Sequence, residues 1–295
     1  MNFSGTAKNK YTFPYRFSFI LILLIFIISA GSCARKVRSE NWKNHYRHLQ
    51  SPLPLKESIT ETDYYIVFLV AAAHLDYWDN RALIESLVQY SRKKDHIGHS
   101  WIYLKGIKDG KPFTMEGGQS GQLGETQPRF FKGVSNYIKY GYANPDDSQK
   151  KNPRHEPNPI KYLWDELDDG FFQEGNGDFT PSYAVKVDLT KEQFKEIMNF
   201  IDPEKYNYKV FSLVGNQCSS FLASLASMAG LAIEHRVTVK LDPLIVFNNR
   251  EFRLWTDPEY SNLTFSSPDI IEKSLMKAVK EGRAEYALGW YLDKK

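Results

Sequence analysis

The chain has 295 residues, of which 42% are hydrophobic and 15% aromatic, ample for one large buried core or two small ones. The formal net charge of +3 is misleading, because residues 1–32 hold three of the 38 basic residues and no acidic one. In the rest of the chain, 35 basic residues balance 35 acidic residues, so the charge gives no argument for a nucleic-acid partner.

Residues 1–32 have the pattern of a secretory signal peptide. An apolar run over residues 17–28 follows three basic residues, precedes small residues, and is shorter than the roughly 20 residues of a membrane span. Cys33 comes next and resembles the lipidated cysteine of a bacterial lipobox, although Ala30 stands where leucine is usual. We therefore expect lipidation of Cys33 and a lipid-anchored location in the bacterial cell envelope, at the outer membrane or periplasmic face. An uncleaved anchor and ordinary secretion are the alternatives.

The polar, basic stretch over residues 33–60 predicts a tether, which leaves residues 61–295 as one folded domain. A β-branched and aromatic run over residues 64–70 predicts a buried strand, and apolar spacing over 83–88 indicates a helix. A second strand, over residues 98–104, is apolar on both faces and is expected in the centre of a sheet.

An Asp109-Gly110 turn predicts a hairpin that returns as a strand over residues 113–116. From 117 to 180, glycine, proline and charged residues dominate, which predicts a long insertion. We interpret this insertion as a lid or substrate-selecting segment. Limited proteolysis with and without substrate tests that interpretation, and equal cutting rates would contradict it.

The remaining elements follow in short succession. A strand is predicted over residues 183–189, followed by a helix that Thr190 and Gln193 begin with a capping box. After a helix that begins near Cys218, two strands are predicted over 237–241 and 244–247 and a helix over 269–281.

Cys218 is the second of two cysteines and lies in the first turn of an apolar-patterned helix that Gly230 ends. Unpaired N–H groups and the helix dipole at this position favour the thiolate, the reactive form. The alternative is that Cys218 is a small buried hydrophobic residue.

Among seven histidines, His99 is the best candidate for a base, because a strand holds its side chain more rigidly than a loop does. The alternative is an ordinary core histidine. A metal held by Asp95, His96 and His99 is disfavoured, because three neighbouring groups at a strand entry rarely converge. We predict no metal and no cofactor.

Two short segments resemble the circularly permuted papain-like group, which includes permuted NlpC-type peptidases and lecithin retinol acyltransferase-like enzymes. They are Gly98-His99-Ser100-Trp101-Ile102-Tyr103-Leu104 and Asn216-Gln217-Cys218-Ser219-Ser220-Phe221 with the apolar helix that follows. The resemblance covers residues 64–116 and 183–232. It implies an α+β, permuted papain-like fold whose central antiparallel sheet packs against the nucleophile helix. It also implies Cys218 as nucleophile and His99 as its base.

The family usually has a third polar residue that orients the imidazole, and Glu116 is the nearest acid. A two-residue turn would place Glu116 opposite Tyr103, on the same face as His99 but about four residues along the strand. Gln119 and Ser120 therefore remain alternatives, as does a merely solvated Glu116. We expect the backbone N–H of Cys218 to help hold the oxyanion and Asn216 to have a packing or capping role.

These features predict a membrane-tethered cysteine hydrolase that cleaves an amide, such as a cell-wall peptide, through an acyl-enzyme. A lipid ester hydrolase or acyltransferase on the same fold is one alternative. A non-catalytic envelope lipoprotein that binds a ligand or partner is the other, and the oligomeric state is left open.

Overall fold

The structure is a computed structural model that describes residues 59–77, 82–83, 86, 98–121, 166, 168–212, 214–240, 242–247, 250–253 and 258–294. The predicted signal peptide, Cys33, nearly all of the tether, His96 and most of the helix predicted over 83–88 lie outside these residues. No helix in the described ranges is both long enough and apolar enough to cross a bilayer.

The described residues form an α+β fold of ten strands and four α-helices. The strands are β1 (Tyr65–Ala71), β2 (His99–Lys108), β3 (Lys111–Gly121), β4 (Gly170–Glu174), β5 (Tyr183–Asp188), β6 (Arg236–Lys240), β7 (Leu244–Phe247), β8 (Arg250–Arg253), β9 (Asn262–Ser266) and β10 (Glu285–Tyr286). The helices are α1 (Lys191–Phe200), α2 (Cys218–Met228), α3 (Pro268–Lys280) and α4 (Leu288–Asp293), and Pro258–Ser261 is a 3₁₀ turn.

Six strands form the main sheet in the order β10-β5-β1-β2-β3-β4, and each neighbouring pair is antiparallel. Strands β6 and β9 form one separate pair, and β7 and β8 form another. The predicted α+β class and the antiparallel sheet with the Cys218 helix packed against it are confirmed.

The hairpin between β2 and β3 has the predicted two-residue turn. Asp109 and Gly110 both have positive φ, 53° and 74°, which suits the right-handed twist of the strands they join. The turn sets the register, and Tyr103 pairs with Glu116 as predicted.

Parts of the insertion predicted over residues 117–180 form strands of the main sheet. Strand β3 continues to Gly121, and β4 pairs with this extension from inside the predicted insertion. A side chain at Gly117 would lie 2.3 Å from the backbone oxygen of Gln173, so glycine permits this close pairing. Residues 122–165 lie outside the described residues, and the lid interpretation stays a prediction.

Side-chain caps begin three of the helices. The capping box of Thr190 and Gln193 begins α1 as predicted, Gln217 caps α2, and Ser267 caps α3. Helices α1, α2 and α3 bury apolar side chains on one face of the main sheet, in a core that includes Phe68, Ile102 and Leu104. An aromatic cluster that includes Trp101, Tyr103 and Tyr291 covers the opposite face.

Candidate active site

The N-terminus of α2 is held in place by the side chain of Gln217. Its Oε1 accepts a hydrogen bond from the backbone N–H of Ser219 at 2.8 Å, and its Nε2 donates to the backbone oxygen of Ser266 at 2.6 Å. The hydroxyl of Ser220 in turn accepts from the backbone N–H of Gln217 at 2.9 Å. These bonds fix the helix start to strand β9, so the position of the first helical residue, Cys218, is well defined.

Cys218 is a free, partly exposed thiol. Its Sγ donates a hydrogen bond to Oε1 of Gln217 at 3.3 Å and lies 3.8 Å from Oγ of Ser219. Burial raises the pKa of the Cys218 thiol, and hydrogen bonds from Ser219 and the backbone N–H of Ser100 oppose that rise. The backbone N–H groups at the start of α2 also lower the pKa of Cys218, as expected, but desolvation outweighs them in the free protein.

The sulfur lies beside strand β2. The helix start that carries it contacts this strand, because Oγ of Ser219 lies 3.2 Å from Oγ of Ser100. Strand β1 occupies one side of Ser100, since Val70 pairs with it. On the other side the ladder to β3 ends at the pair Ile102 and Gly117. Gly118 of β3 still lies against Ser100, since a side chain there would come within 3.1 Å of the backbone oxygen of Ser100.

Ser100 and His99 project to opposite faces of the sheet, as successive strand residues do. The hydroxyl of Ser100 points toward α2 and lies 3.2 Å from Oγ of Ser219. His99 is 4% exposed and stacks against Trp101 and Phe179 on the aromatic face. Gln217 and Ser219 lie within hydrogen-bond reach of the thiol. Cys218 therefore lies on the side of the sheet that Ser100 faces, and the His99 imidazole lies on the side of Trp101.

Glu116 lies on the face that carries His99, as predicted. Its Oε1 accepts a hydrogen bond from Nε1 of Trp101 at 3.1 Å and another from the hydroxyl of Tyr291. Glu116 is therefore linked to His99 through the ring of Trp101, which neither the turn geometry nor the resemblance indicated.

The two alternatives for the third residue are placed differently. Gln119 is fully buried, and its Nε2 donates to the backbone oxygens of Tyr208 and Val210 at 2.9 and 3.1 Å, in the loop before α2. Oε1 of Gln119 is buried without a hydrogen-bond partner among the described residues. Ser120 pairs with Phe171 of β4. Of the two, Gln119 contacts the segment that leads to Cys218.

Asn216 has the packing role that was expected for it. Its Nδ2 donates to the backbone oxygen of Val210 at 2.9 Å, and its Oδ1 accepts from the hydroxyl of Tyr206. These bonds hold the loop that leads into α2. No group of three or more His, Cys, Asp and Glu side chains within the described ranges is placed to hold a metal ion.

Sequence reasoning missed Phe179 as a neighbour of His99 and Tyr291 as a neighbour of Trp101. The strand period placed Trp101 on the correct face, two residues after His99. Phe179 and Tyr291 follow on other segments, and no local pattern links either of them to β2.

The chain matches no known family model, and no significant similarity to a curated protein or a solved structure is found.

Proposed function

We propose that this protein is a membrane-tethered cysteine hydrolase with a circularly permuted papain-like fold, which cleaves an amide through an acyl-enzyme. Cys218 is the nucleophile and His99 is its general base. One observation carries the proposal: Oγ of Ser219, directly after Cys218, lies 3.2 Å from Oγ of Ser100, directly after His99, so the two segments that resemble the family contact each other at the start of β2.

The proposed reaction begins when His99 takes the thiol proton and Sγ attacks the amide carbonyl carbon. The backbone N–H of Cys218, in the first turn of α2, stabilises the oxyanion. The imidazolium then protonates the leaving amine as the C–N bond breaks, and water hydrolyses the thioester to a carboxylate and the free thiol. Catalytic hydrogen bonds are often formed only once substrate is bound, which is consistent with a thiol that bonds Gln217 in the free protein.

The substrate follows from the predicted anchor. A lipid on Cys33 would hold the domain beside the cell wall, which favours a wall peptide amide over a lipid ester. Full-length protein is to be assayed against peptidoglycan fragments and against phospholipid vesicles. We expect release of new amines from the fragments, whereas fatty-acid release from the vesicles would support the ester alternative.

Two substitutions test the catalytic pair. Cys218→Ala and His99→Ala are each expected to abolish turnover while lowering the free energy of unfolding by no more than roughly 2 kcal/mol. His74→Gln is the matched control, because His74 bonds Glu272 and has no place in the proposed chemistry. A fully active His99→Ala protein would end the proposal.

A non-catalytic binding module is the second candidate, and the raised pKa of the Cys218 thiol favours it. Iodoacetamide alkylation across pH separates the two, in a Cys33→Ser background that leaves Cys218 as the only thiol. A hydrolase is expected to lose alkylation at neutral pH when His99 is replaced. An alkylation profile with a midpoint near or above about 8.5, unchanged by His99→Ala, would support the binding module.

A further inference from the structure

Three aromatic rings cluster at the start of β2. The ring planes of His99 and Trp101 lie within 13° of parallel, with centroids 5.7 Å apart. Phe179 packs closer to the imidazole, at 4.5 Å and 30°. Trp101 is fully buried, so this arrangement is enclosed rather than a surface contact.

Trp101 is anchored at its edge. Its Nε1 donates to Oε1 of Glu116 at 3.1 Å, and the hydroxyl of Tyr291 donates to the same oxygen. The ring of Tyr291 also meets the indole edge to face, at 6.4 Å and 67°. Glu116 and Tyr291 come from β3 and α4, so two separate elements fix the plane of the indole.

We propose that Trp101 is the positioning residue for the His99 imidazole and that Glu116 acts on His99 through Trp101. This inference rests on the proposed function, in which His99 becomes a cation in the first step. The face of an indole attracts a cation, and a hydrogen bond to a carboxylate holds that face parallel to the imidazole. The pair thus fixes the plane against which the imidazole stacks.

The test is to measure the titration of the His99 ring by NMR in the full chain. The His99→Gln variant lacks this signal and so identifies it. Trp101→Leu removes the indole face and is expected to lower the titration midpoint by about one pH unit. Glu116→Leu is expected to shift it in the same direction by less, and Glu116→Gln is expected to restore it, because the amide oxygen still accepts both hydrogen bonds.

Tyr103→Leu is the matched control. Tyr103 is the next residue on the same face of β2, but its ring contacts Tyr65 and Trp290 instead of His99. The Tyr103→Leu variant should leave the His99 titration unchanged. If Trp101→Leu does not fold, Trp101→Phe keeps a smaller aromatic ring but removes the anchored N–H, and it should lower the midpoint by at least as much as Glu116→Leu does.

An unchanged His99 titration in the folded Trp101 variant would overturn the inference, as would an equal shift in Tyr103→Leu. Failure of the proposed function looks different: alkylation of Cys218 would then be insensitive to His99→Ala, whatever the NMR titration shows. If alkylation depends on His99 while the titration ignores Trp101, the hydrolase proposal survives and the positioning role does not.

Discussion

The two faces of the main sheet are covered by different kinds of side chain. The face that carries α1, α2 and α3 is mostly aliphatic, with fully buried Ile66, Phe68 and Leu222. The opposite face stacks aromatic rings and also buries Lys186, whose Nζ bonds Asp188 at 2.7 Å and lies 5.5 Å from the Tyr65 ring centre. The helix-packed face buries mostly aliphatic side chains with some aromatic ones, and the opposite face buries a charged side chain among its aromatic rings.

The candidate site joins these two faces. Cys218 belongs to the helix-packed side and His99 to the aromatic side, and the start of β2 lies between them. Each partner is thus held by a different kind of contact. Substitutions within one face should therefore affect stability or the site in a characteristic way.

The largest expected effect is on the helix-packed face. Phe221 of α2 is 1% exposed and contacts the rings of Phe200, Tyr206 and Tyr208. Phe221→Ala should lower the free energy of unfolding by about 3–5 kcal/mol, because it leaves a cavity in an apolar core. Urea denaturation measures this change.

The control for this prediction is Ser224→Ala, on the exposed side of the same helix, which should change stability by less than about 0.5 kcal/mol. A loss below about 1 kcal/mol for Phe221→Ala would show that α2 is not the main packing element of this face.

A smaller expected effect on stability allows a direct comparison of the two faces. Tyr65 on the aromatic face and Tyr183 on the helix-packed face each bury a hydroxyl that has no hydrogen-bond partner within the described part of the chain. Burial raises the pKa of both phenols. Tyr65→Phe and Tyr183→Phe should each stabilise the protein by about 1 kcal/mol, since a desolvated hydroxyl is removed.

Tyr208→Phe is the matched control, because the hydroxyl of Tyr208 donates to the backbone oxygen of Ile201 at 2.9 Å. This variant should lose about 1 kcal/mol in thermal or urea denaturation. Destabilisation by Tyr65→Phe but not by Tyr183→Phe would mean that the Tyr65 hydroxyl stabilises the aromatic face. The two faces would then differ in their polar contacts as well as in their packing.

Local signals predicted most of the elements that form this sheet. The Asp109-Gly110 turn was sufficient to place Glu116 opposite Tyr103, and the capping box located the start of α1. Strand β4 was missed because its sequence, Gly170–Glu174, has little apolar alternation. Its stability comes from pairing with β3, a long-range ladder that short patterns do not encode.

The site was predictable in its parts but not in its assembly. Cys218 lies at a helix start and His99 at a strand start, as the sequence indicated. The ladder between β2 and β3 ends at Ile102 and Gly117, where β3 begins to pair with β4, and no short sequence pattern encodes that point. The anchor of Trp101 depends on Tyr291, near the other end of the domain.

The smallest expected effect concerns the end of the helix-packed face, where His74 bonds Glu272 at 2.7 Å. That hydrogen bond raises the pKa of His74, and burial only partly opposes it. Because the folded value lies above the unfolded value of about 6.5, the stabilisation is complete below that pH. It is lost as the pH rises through the higher folded value.

His74→Gln removes this contribution. The measurement is the difference in unfolding free energy between wild type and variant from pH 6 to pH 9. The side chain of His74 is 41% exposed. Solvent therefore screens the pair, and the difference should fall by less than about 1 kcal/mol across the range. A difference that grows toward alkaline pH would contradict the sign. It would show that neutral His74, and not its cation, is the form that the buried Glu272 stabilises.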